Sequence, residues 1–228
     1  SINITVNDEV PTLSYTPSTL VLTLGQQSSD LPLNATLTGS GDITSWEINA
    51  TLPSGLNFGT SNGTIWGIPA VLQTTSTTHT IWANNSGGSS VAYLNITVVD
   101  ELPTLSYSPE NLTLTKGQSS TDLPLNASLT GSGAITSWAI SPALPSGLNF
   151  GTSNGTIWGT PTSLMTLNTF TIWANNSGGS SSATVNITVN DEAPDISYSN
   201  DDIVATLNVS ISPHSSPTNS GGSATSWE

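Results

Sequence analysis

The residues with the clearest chemistry in this sequence are asparagines that are followed two positions later by serine or threonine. Such an Asn-x-Ser/Thr motif is the acceptor sequence for N-linked glycans. It occurs twelve times among the 228 residues, which makes covalent N-glycosylation the first chemical hypothesis. The candidate glycosylation sites are Asn3, Asn34, Asn49, Asn62, Asn84, Asn95, Asn111, Asn126, Asn154, Asn175, Asn186 and Asn208.

Seven of these motifs lie in stretches where apolar and polar residues alternate, as in Asn95-Ile96-Thr97. A period of two places the asparagine and the hydroxyl on the same outward face of a strand. Glycans there would keep a surface with almost no lysine or arginine soluble and protect its strand edges from pairing. Alternatively, Asn and Thr simply fill the solvent face of a charge-poor sheet, and the motif follows from the strand period.

A second candidate chemistry is calcium binding by acidic pairs that recur at three points. Each pair precedes one apolar residue and a proline, as in Asp100-Glu101-Leu102-Pro103. Calcium takes about six to eight oxygen ligands, so two carboxylates need help from backbone carbonyls and from Asp30, Asp122 or a neighbouring loop. The alternative is a solvated linker stiffened by its proline. The calcium candidates are Asp8, Glu9, Asp100, Glu101, Asp191 and Glu192.

Four tryptophans are predicted to point away from the core. In Ile81-Trp82-Ala83, alternation places the indole on the opposite face from its neighbours. An outward indole is expected to cover a cross-strand neighbour, the next domain, a glycan or another chain, or else to pack on a second tryptophan or under a loop. The candidate surface contacts are Trp66, Trp82, Trp158 and Trp173, whereas Trp46, Trp138 and Trp227 are expected in the core.

The composition limits the partners. Fifteen acidic residues and one basic residue, Lys116, give a net charge of −14, and there is no cysteine. Nucleic acids and anionic membranes are bound through Lys and Arg, so neither is an expected partner. No stretch approaches the roughly 20 apolar residues of a membrane span, so direct membrane insertion is not expected. The absence of cysteine argues against a disulfide-stapled module.

A long internal repeat must position these residues. Residues 52–67 recur unchanged as residues 144–159, and residues 80–90 recur as residues 171–181. The period exceeds the roughly 20–50 residues of a solenoid repeat and is close to the size of one sandwich domain of about 100 residues. Half-buried strands are predicted at residues 20–24, 31–37, 43–48, 64–66, 79–84 and 93–98. We therefore predict an all-β chain of tandem β-sandwich domains arranged end to end.

The repeat also predicts the domain boundaries. Residues 9–99 and 100–190 form two whole repeats, residues 1–8 match the last strand of a preceding repeat, and residues 191–228 match the first part of a further one. The chain is therefore expected to be a segment of a longer polypeptide, unless the missing strands come from another molecule. Catalysis is not expected, because His79 aligns with Phe170 and His214 lies in the partial repeat, so no histidine recurs to act as a base or a ligand.

Residues 15–24, 144–161 and 171–189 resemble the immunoglobulin-like, cadherin-like tandem repeat of bacterial and archaeal surface proteins. The acidic pairs resemble the calcium-binding linkers of cadherins. The family resemblance implies an extracellular or cell-surface location and a β-sandwich without a catalytic role. This sequence departs from the usual pattern, since Trp66 and Trp158 stand where a small polar residue is common, and Trp82 and Trp173 stand where threonine is common.

The expected function is a structural or adhesive module of a long, N-glycosylated surface protein or filament, in which each repeat is a non-catalytic spacer. The expected partners are neighbouring repeats of the same chain, other copies in a filament, and glycans. The alternative is a carbohydrate-binding module that grips a polysaccharide with the outward tryptophans.

Overall fold

The computed structural model describes residues 1–39, 41–131, 133–198, 205–209, 216–224 and 226. The regular secondary structure in this part of the chain consists of β-strands. Trp227, expected in the core, and His214 lie outside the described residues. The chain divides into two compact units, one comprising Ser1–Pro103, Thr130–Thr136 and Asn175–Ser180 and the other comprising Thr104–Leu129, Ser137–Ala174 and Ser181–Glu228.

The first repeat contains eight strands in three sheets. They are β1 (Thr12–Ser14), β2 (Thr19–Thr23), β3 (Thr36–Thr38), β4 (Ser45–Ile48), β5 (Leu56–Phe58), β6 (Ile65–Gly67), β7 (Gln73–Asn85) and β8 (Gly88–Val99). The largest sheet has the order β2-β8-β7-β4, in which β2 pairs with β8 in parallel and the other neighbours are antiparallel. Strand β1 pairs with β3, and β5 forms a hairpin with β6.

The core of the first repeat is enclosed between the largest sheet and the two small ones. Alternate residues of β7 and β8, such as Ile81 and Ile96, are fully buried. They belong to one cluster with Leu13 of β1, Leu56 of β5 and Ile65 of β6. The period of two that is visible in the sequence therefore separates an apolar inner face from a polar outer face, as in a β-sandwich.

One aromatic cluster closes this core at the turn between β5 and β6. Trp46 is buried, and its ring packs on Gly63, where a Cβ would overlap the indole. Gly63 has φ +67°, a conformation that glycine adopts more readily than other residues. The Tyr15 hydroxyl donates to the Gly63 carbonyl at 2.6 Å, and burial raises the pKa of this phenol above its ordinary value.

The second repeat has the same eight strands in the same order. They are β9 (Thr104–Tyr107), β10 (Asn111–Thr115), β11 (Ala127–Thr130), β12 (Ser137–Ser141), β13 (Leu148–Phe150), β14 (Ile157–Gly159), β15 (Met165–Asn176) and β16 (Gly179–Asn190). The largest sheet has the order β10-β16-β15-β12, again with a parallel pair between β10 and β16. Trp138 is buried against Gly155, and the Tyr107 hydroxyl donates to the Gly155 carbonyl at 2.7 Å.

The remaining described residues contain two short strands, β17 (Ile196–Ser197) and β18 (Thr218–Asn219), which pair antiparallel. This pairing matches that of β1 with β3. Residues 1–8 form no strand, so their assignment to a preceding repeat stays a prediction.

One strand is much shorter than predicted. The alternating stretch 31–37 contributes only the start of β3 and an isolated bridge between Leu33 and Ile65. Leu31 and Leu33 are nevertheless buried. Their side chains alternate correctly, but Pro32 between them has no N–H group to donate to a neighbouring strand.

Candidate glycan-bearing surface

None of the twelve candidate glycosylation sites is buried. Most are exposed, and four are half-buried within the long hairpins: Asn84 of β7, Asn95 of β8, Asn175 of β15 and Asn186 of β16. Because a glycan must project into solvent, the location of every site is compatible with attachment. Ser210, the hydroxyl residue of the Asn208 motif, lies outside the described residues.

Two of the sites meet at Thr64, just before β6. The Thr64 hydroxyl donates to Asn34 Oδ1 at 3.0 Å, and the Thr64 N–H group donates to Asn62 Oδ1 at 3.1 Å. Both bonds use the amide oxygens, so the Nδ2 nitrogens that would carry N-linked glycans are not engaged by Thr64. The second repeat reproduces both bonds at Thr156, with Asn126 at 3.0 Å and Asn154 at 3.1 Å.

Trp66 of β6 lies on the outer side of the β5–β6 hairpin. Ile65 is fully buried, whereas the Trp66 indole is 43% exposed and lies opposite Asn57 of β5. Trp66 Cζ3 and Asn62 Cγ lie 3.3 Å and 3.4 Å from the position that a Cβ on Gly59 would occupy. Asn62 Oδ1 lies closer still to that position, so the amide oxygen and the edge of the indole lie together over the backbone of Gly59.

The second repeat contains the same arrangement at its own hairpin. Trp158 is also 43% exposed and lies opposite Asn149. Trp158 Cζ3 and Asn154 Cγ lie 3.4 Å and 3.3 Å from the Cβ position of Gly151. The sequence predicts this match, because residues 52–67 and 144–159 are identical.

In each repeat, the outer face of the largest sheet carries the half-buried candidate glycosylation sites and a half-buried tryptophan. Trp82 of β7 is half-buried between Glu47 of β4 and Val91 of β8, and Trp173 of β15 is half-buried as well. Trp66 and Trp82 lie in different sheets, each on the side away from a buried isoleucine. They therefore belong to two separate surfaces.

Hydrogen bonds distinguish the sites on this face. Asn95 Oδ1 accepts from the Thr78 hydroxyl at 2.6 Å, which does not involve the amide nitrogen. Asn84 Nδ2 instead donates to Ser45 Oγ at 2.9 Å and to Glu47 Oε1 at 3.0 Å. An N-linked glycan replaces one of the two Nδ2 hydrogens, so attachment at Asn84 would break one of these bonds.

In the second repeat two candidate sites touch each other. Asn186 Oδ1 accepts from the Thr169 hydroxyl at 2.6 Å, as Asn95 does from Thr78. Asn186 Nδ2 also donates to Asn111 Oδ1 at 2.9 Å. The first repeat has Thr19 at the position of Asn111, so this contact between two asparagines is specific to the second repeat.

The acidic linkers are bound by the hairpin turns between the two longest strands of each repeat. Ser86 Oγ accepts from the Asp8 N–H group at 2.9 Å and donates to Asp8 Oδ2 at 2.6 Å. Ser177 makes the same two bonds to Asp100, at 2.8 Å and 2.7 Å. We call these two bond pairs, Ser86 with Asp8 and Ser177 with Asp100, the serine clasps. Asp8 is exposed and Asp100 is buried, so the two clasps differ in their exposure to solvent.

Asp191 and Glu192 have other partners. Asp191 Oδ1 accepts from the Glu192 N–H group at 3.1 Å, and Glu192 Oε1 accepts from Gln118 Nε2 at 3.0 Å. The described residues contain no group of three or more acidic, histidine or cysteine side chains that could hold a metal. Calcium binding at the three linkers stays a prediction.

A family model described as "Putative Ig domain" matches residues 10–99 and 102–190. The chain belongs to this family. It is therefore an all-β protein with two immunoglobulin-like domains in tandem.

Three solved structures similar to the two Ig domains can be compared. Human protocadherin-24 EC1-2 is 13% identical with a TM-score of 0.36, over 82% of this chain and 100% of that one. Drosophila N-cadherin EC1-4 is 17% identical with a TM-score of 0.33, over 83% of this chain and 53% of that one. The titin I-band fragment I67-I69 is 18% identical with a TM-score of 0.35, over 83% and 66%. No curated protein matches.

One buried polar side chain lies apart from these surfaces. His79 of the first Ig domain is 1% exposed, and neither ring nitrogen has a hydrogen-bond partner among the described residues. Burial lowers the pKa of this imidazole. The nearby Ala50 backbone opposes the shift, although it does not lie in hydrogen-bond geometry. The ring has no access to solvent, so His79 is a residue of the core.

Sequence reasoning missed the serine clasps and the threonine that joins two asparagines. The recurrence of Asn-Ser-Gly-Gly at 85–88 and 176–179 was the available signal for the clasp.

Nowhere in the described residues does a helix reach the length and apolar character that a membrane crossing requires.

Proposed function

We propose that the chain is a structural and adhesive module of a long, N-glycosylated protein at the cell surface or in an extracellular filament. The observation that carries this proposal is that all twelve glycosylation motifs place their asparagines outside the core of a tandem Ig-domain chain. Each Ig domain acts as a non-catalytic spacer, and its partners are neighbouring repeats, other copies of the protein and glycans.

The charge supports the same function. A net charge of −14 with a single basic residue opposes binding to nucleic acid and to anionic membranes. At Asn34, Asn95 and Asn126 a threonine hydroxyl donates to the amide oxygen, and this bond does not engage the amide nitrogen that would carry a glycan. Hydrated glycans would replace the charged side chains that most protein surfaces use for solubility.

The test is the mass of the native protein and the mass of its peptides. We expect the native chain to be heavier than its 23.4 kDa polypeptide, with sugar mapped to sites such as Asn95 and Asn186. Bare asparagines at most of the twelve motifs in native material would remove the proposal.

The spacer role also requires that each repeat folds by itself. A fragment of residues 9–99 should unfold in one cooperative transition, because it contains all eight strands of the first sandwich. A fragment that begins at residue 193 should lack that transition. If residues 9–99 stay unfolded alone, strands exchanged between molecules would replace the spacer as the better explanation.

The second candidate is a carbohydrate-binding module. The 43% exposure of both Trp66 and Trp158 favours it, since sugars pack on exposed aromatic rings. It predicts that the full chain is retarded by an immobilised polysaccharide and that the double change Trp66→Ala and Trp158→Ala abolishes the retardation. Equal mobility of the two proteins would exclude this function.

A further inference from the structure

Each Ig domain repeats one constellation around an exposed indole. In the first domain, Trp66 leaves 43% of its surface open although the neighbouring Ile65 is fully buried. Strand β6 has β5 as its partner in a two-stranded sheet, and Leu33 makes one further bridge to it. An indole of this exposure gains stability when a further group covers it.

A group beside the ring that could carry such a cover is the side chain of Asn62. Asn62 Oδ1 and Trp66 Cζ3 both lie next to the position above Gly59, which has no side chain of its own. Resting on the N-glycosylated surface proposed above, we propose that the glycan on Asn62 lies on the Trp66 indole. The glycan on Asn154 lies on Trp158 in the same way.

The amide of Asn62 is held in a fixed orientation. Asn62 Oδ1 accepts from the Thr64 N–H group and faces the open position above Gly59, so the Nδ2 nitrogen that would carry the glycan is directed away from the turn. The side chain is thereby held in one position before any sugar is added. Less conformational freedom is then lost when the first sugar residue settles on the ring.

The chemistry of the indole ring indicates which kind of group would cover it. Pyranose sugars present a face of C–H groups, which packs on the electron-rich face of an indole. The surface around Trp66 is nearly free of positive charge, since the chain has one basic residue. A sugar that is tethered at Asn62 has an effective concentration of the order of millimolar at the ring, so it competes well with free saccharides.

The experiment compares the full chain, expressed in a secretory host that adds N-glycans, with its Asn62→Asp variant. Aspartate keeps the oxygen that accepts from Thr64 but removes the attachment site. Tryptophan oxidation is then measured peptide by peptide, and Ile68 and Thr160 distinguish the peptides of the two otherwise identical segments.

We expect Trp66 to be oxidised several-fold faster in the Asn62→Asp variant, while Trp158 in the untouched second domain keeps its rate. Trp46 reports the fold, because it is buried and stays protected unless the domain opens. The variant Gly59→Ala adds a Cβ that displaces the Asn62 side chain. It should raise the Trp66 rate while the glycan remains attached.

The outcomes separate the two proposals. If Asn62 carries a glycan and the Trp66 rate is equal in both proteins, the contact is wrong and the glycosylated surface stands. If Asn62 and Asn154 are bare while other motifs carry sugar, the contact is again wrong. If all twelve motifs are bare, both proposals fall.

Discussion

The paired strands at the centre of the largest sheet bury different side chains in the two Ig domains. His79 faces Leu94 across β7 and β8 in the first domain. The matching residues of the second domain are Phe170 and Val185, both fully buried. The larger ring thus accompanies the smaller aliphatic side chain, which keeps the packed volume similar. The polarity, however, changes, since only the histidine brings nitrogen atoms without partners into the core.

The outer face of the same sheet differs without such compensation. Val21, Val91 and Tyr93 are exposed in the first domain, and threonine or serine stands at the matching positions of the second. The hairpin that carries Trp66, in contrast, is identical in both. Between the two domains, the core keeps a similar packed volume and the hairpin keeps its residues, whereas the residues on the sheet surface differ.

The largest expected effect comes from the buried tryptophan that both domains share, and it tests whether that residue is equally important in each. Trp46→Thr and Trp138→Thr should each destabilise their domain by about 3–5 kcal/mol, because both remove a buried ring. Trp82→Thr should cost clearly less, since that indole is half-buried on the outer face. Urea unfolding of the variants measures these losses. Equal losses for Trp46→Thr and Trp82→Thr would place Trp82 in the core.

Gly63→Ala and Gly155→Ala examine the turn beneath those rings. The new methyl group would overlap the indole at a positive φ, so strain and overpacking together should cost about 3 kcal/mol. Gly25→Ala is the matched control, because Gly25 has φ +71° with nothing within 4 Å of its Cβ position. It should cost only the backbone strain, about 1–2 kcal/mol. Similar unfolding midpoints for Gly63→Ala and Gly25→Ala would contradict the packing argument.

Exchange of the central pair tests the polarity difference directly. The double variant His79→Phe and Leu94→Val gives the first domain the pair of the second and removes two buried nitrogens without partners. Leaving a buried polar group unpaired costs about 1–3 kcal/mol, so we expect a gain in stability of that order at pH 7. A loss of stability would show that the two cores differ in shape as well as in polarity.

The same variant should alter the pH dependence. The pKa of His79 is lowered in the folded chain, so below the unfolded value of about 6.5 the unfolded chain binds more protons. The stability of the wild-type first domain should therefore fall as the pH drops from 7 to 5, beyond any fall that the double variant shows. Urea titrations at both pH values measure the difference, and parallel curves would refute it.

The smallest expected effect separates the two serine clasps. Ser177→Ala leaves the buried Asp100 without its hydroxyl partner and should cost about 1 kcal/mol. Ser86→Ala should cost less, because water can replace the hydroxyl at the exposed Asp8. Thermal unfolding of the two variants compares the losses, and a larger loss for Ser86→Ala would contradict this ranking.

Much of the fold could be predicted from local patterns. Alternation around Ile81 and the recurrence of Trp46 were enough to predict strands, tandem domains and a buried tryptophan, because side-chain direction in a strand depends on neighbouring residues alone. The bond from Tyr15 to Gly63 and the clasp of Asp8 could not be predicted. These partners are 48 and 78 residues apart, so only the complete topology brings them together.

The candidate glycan-bearing surface could likewise be predicted from the sequence only in part. The motif predicts which asparagines could carry glycans, and the period of two predicts that they face outward. The sequence did not show that Thr64 would hold two of them by their oxygens, or that Asn84 would use its nitrogen in hydrogen bonds. Such choices depend on which strand lies alongside, and that is set by tertiary pairing.

The parallel pair in each sandwich has a mechanical consequence. Strand β2 lies near the start of the first domain and β8 at its end, with five residue pairs in register from Thr19 and Asn95 to Thr23 and Val99. Tension applied to the two ends would pull these strands past each other along their length. Their hydrogen bonds would then be loaded in shear, all at once, rather than opened one after another like a zipper. Each domain is thus built to stay closed while the chain is stretched.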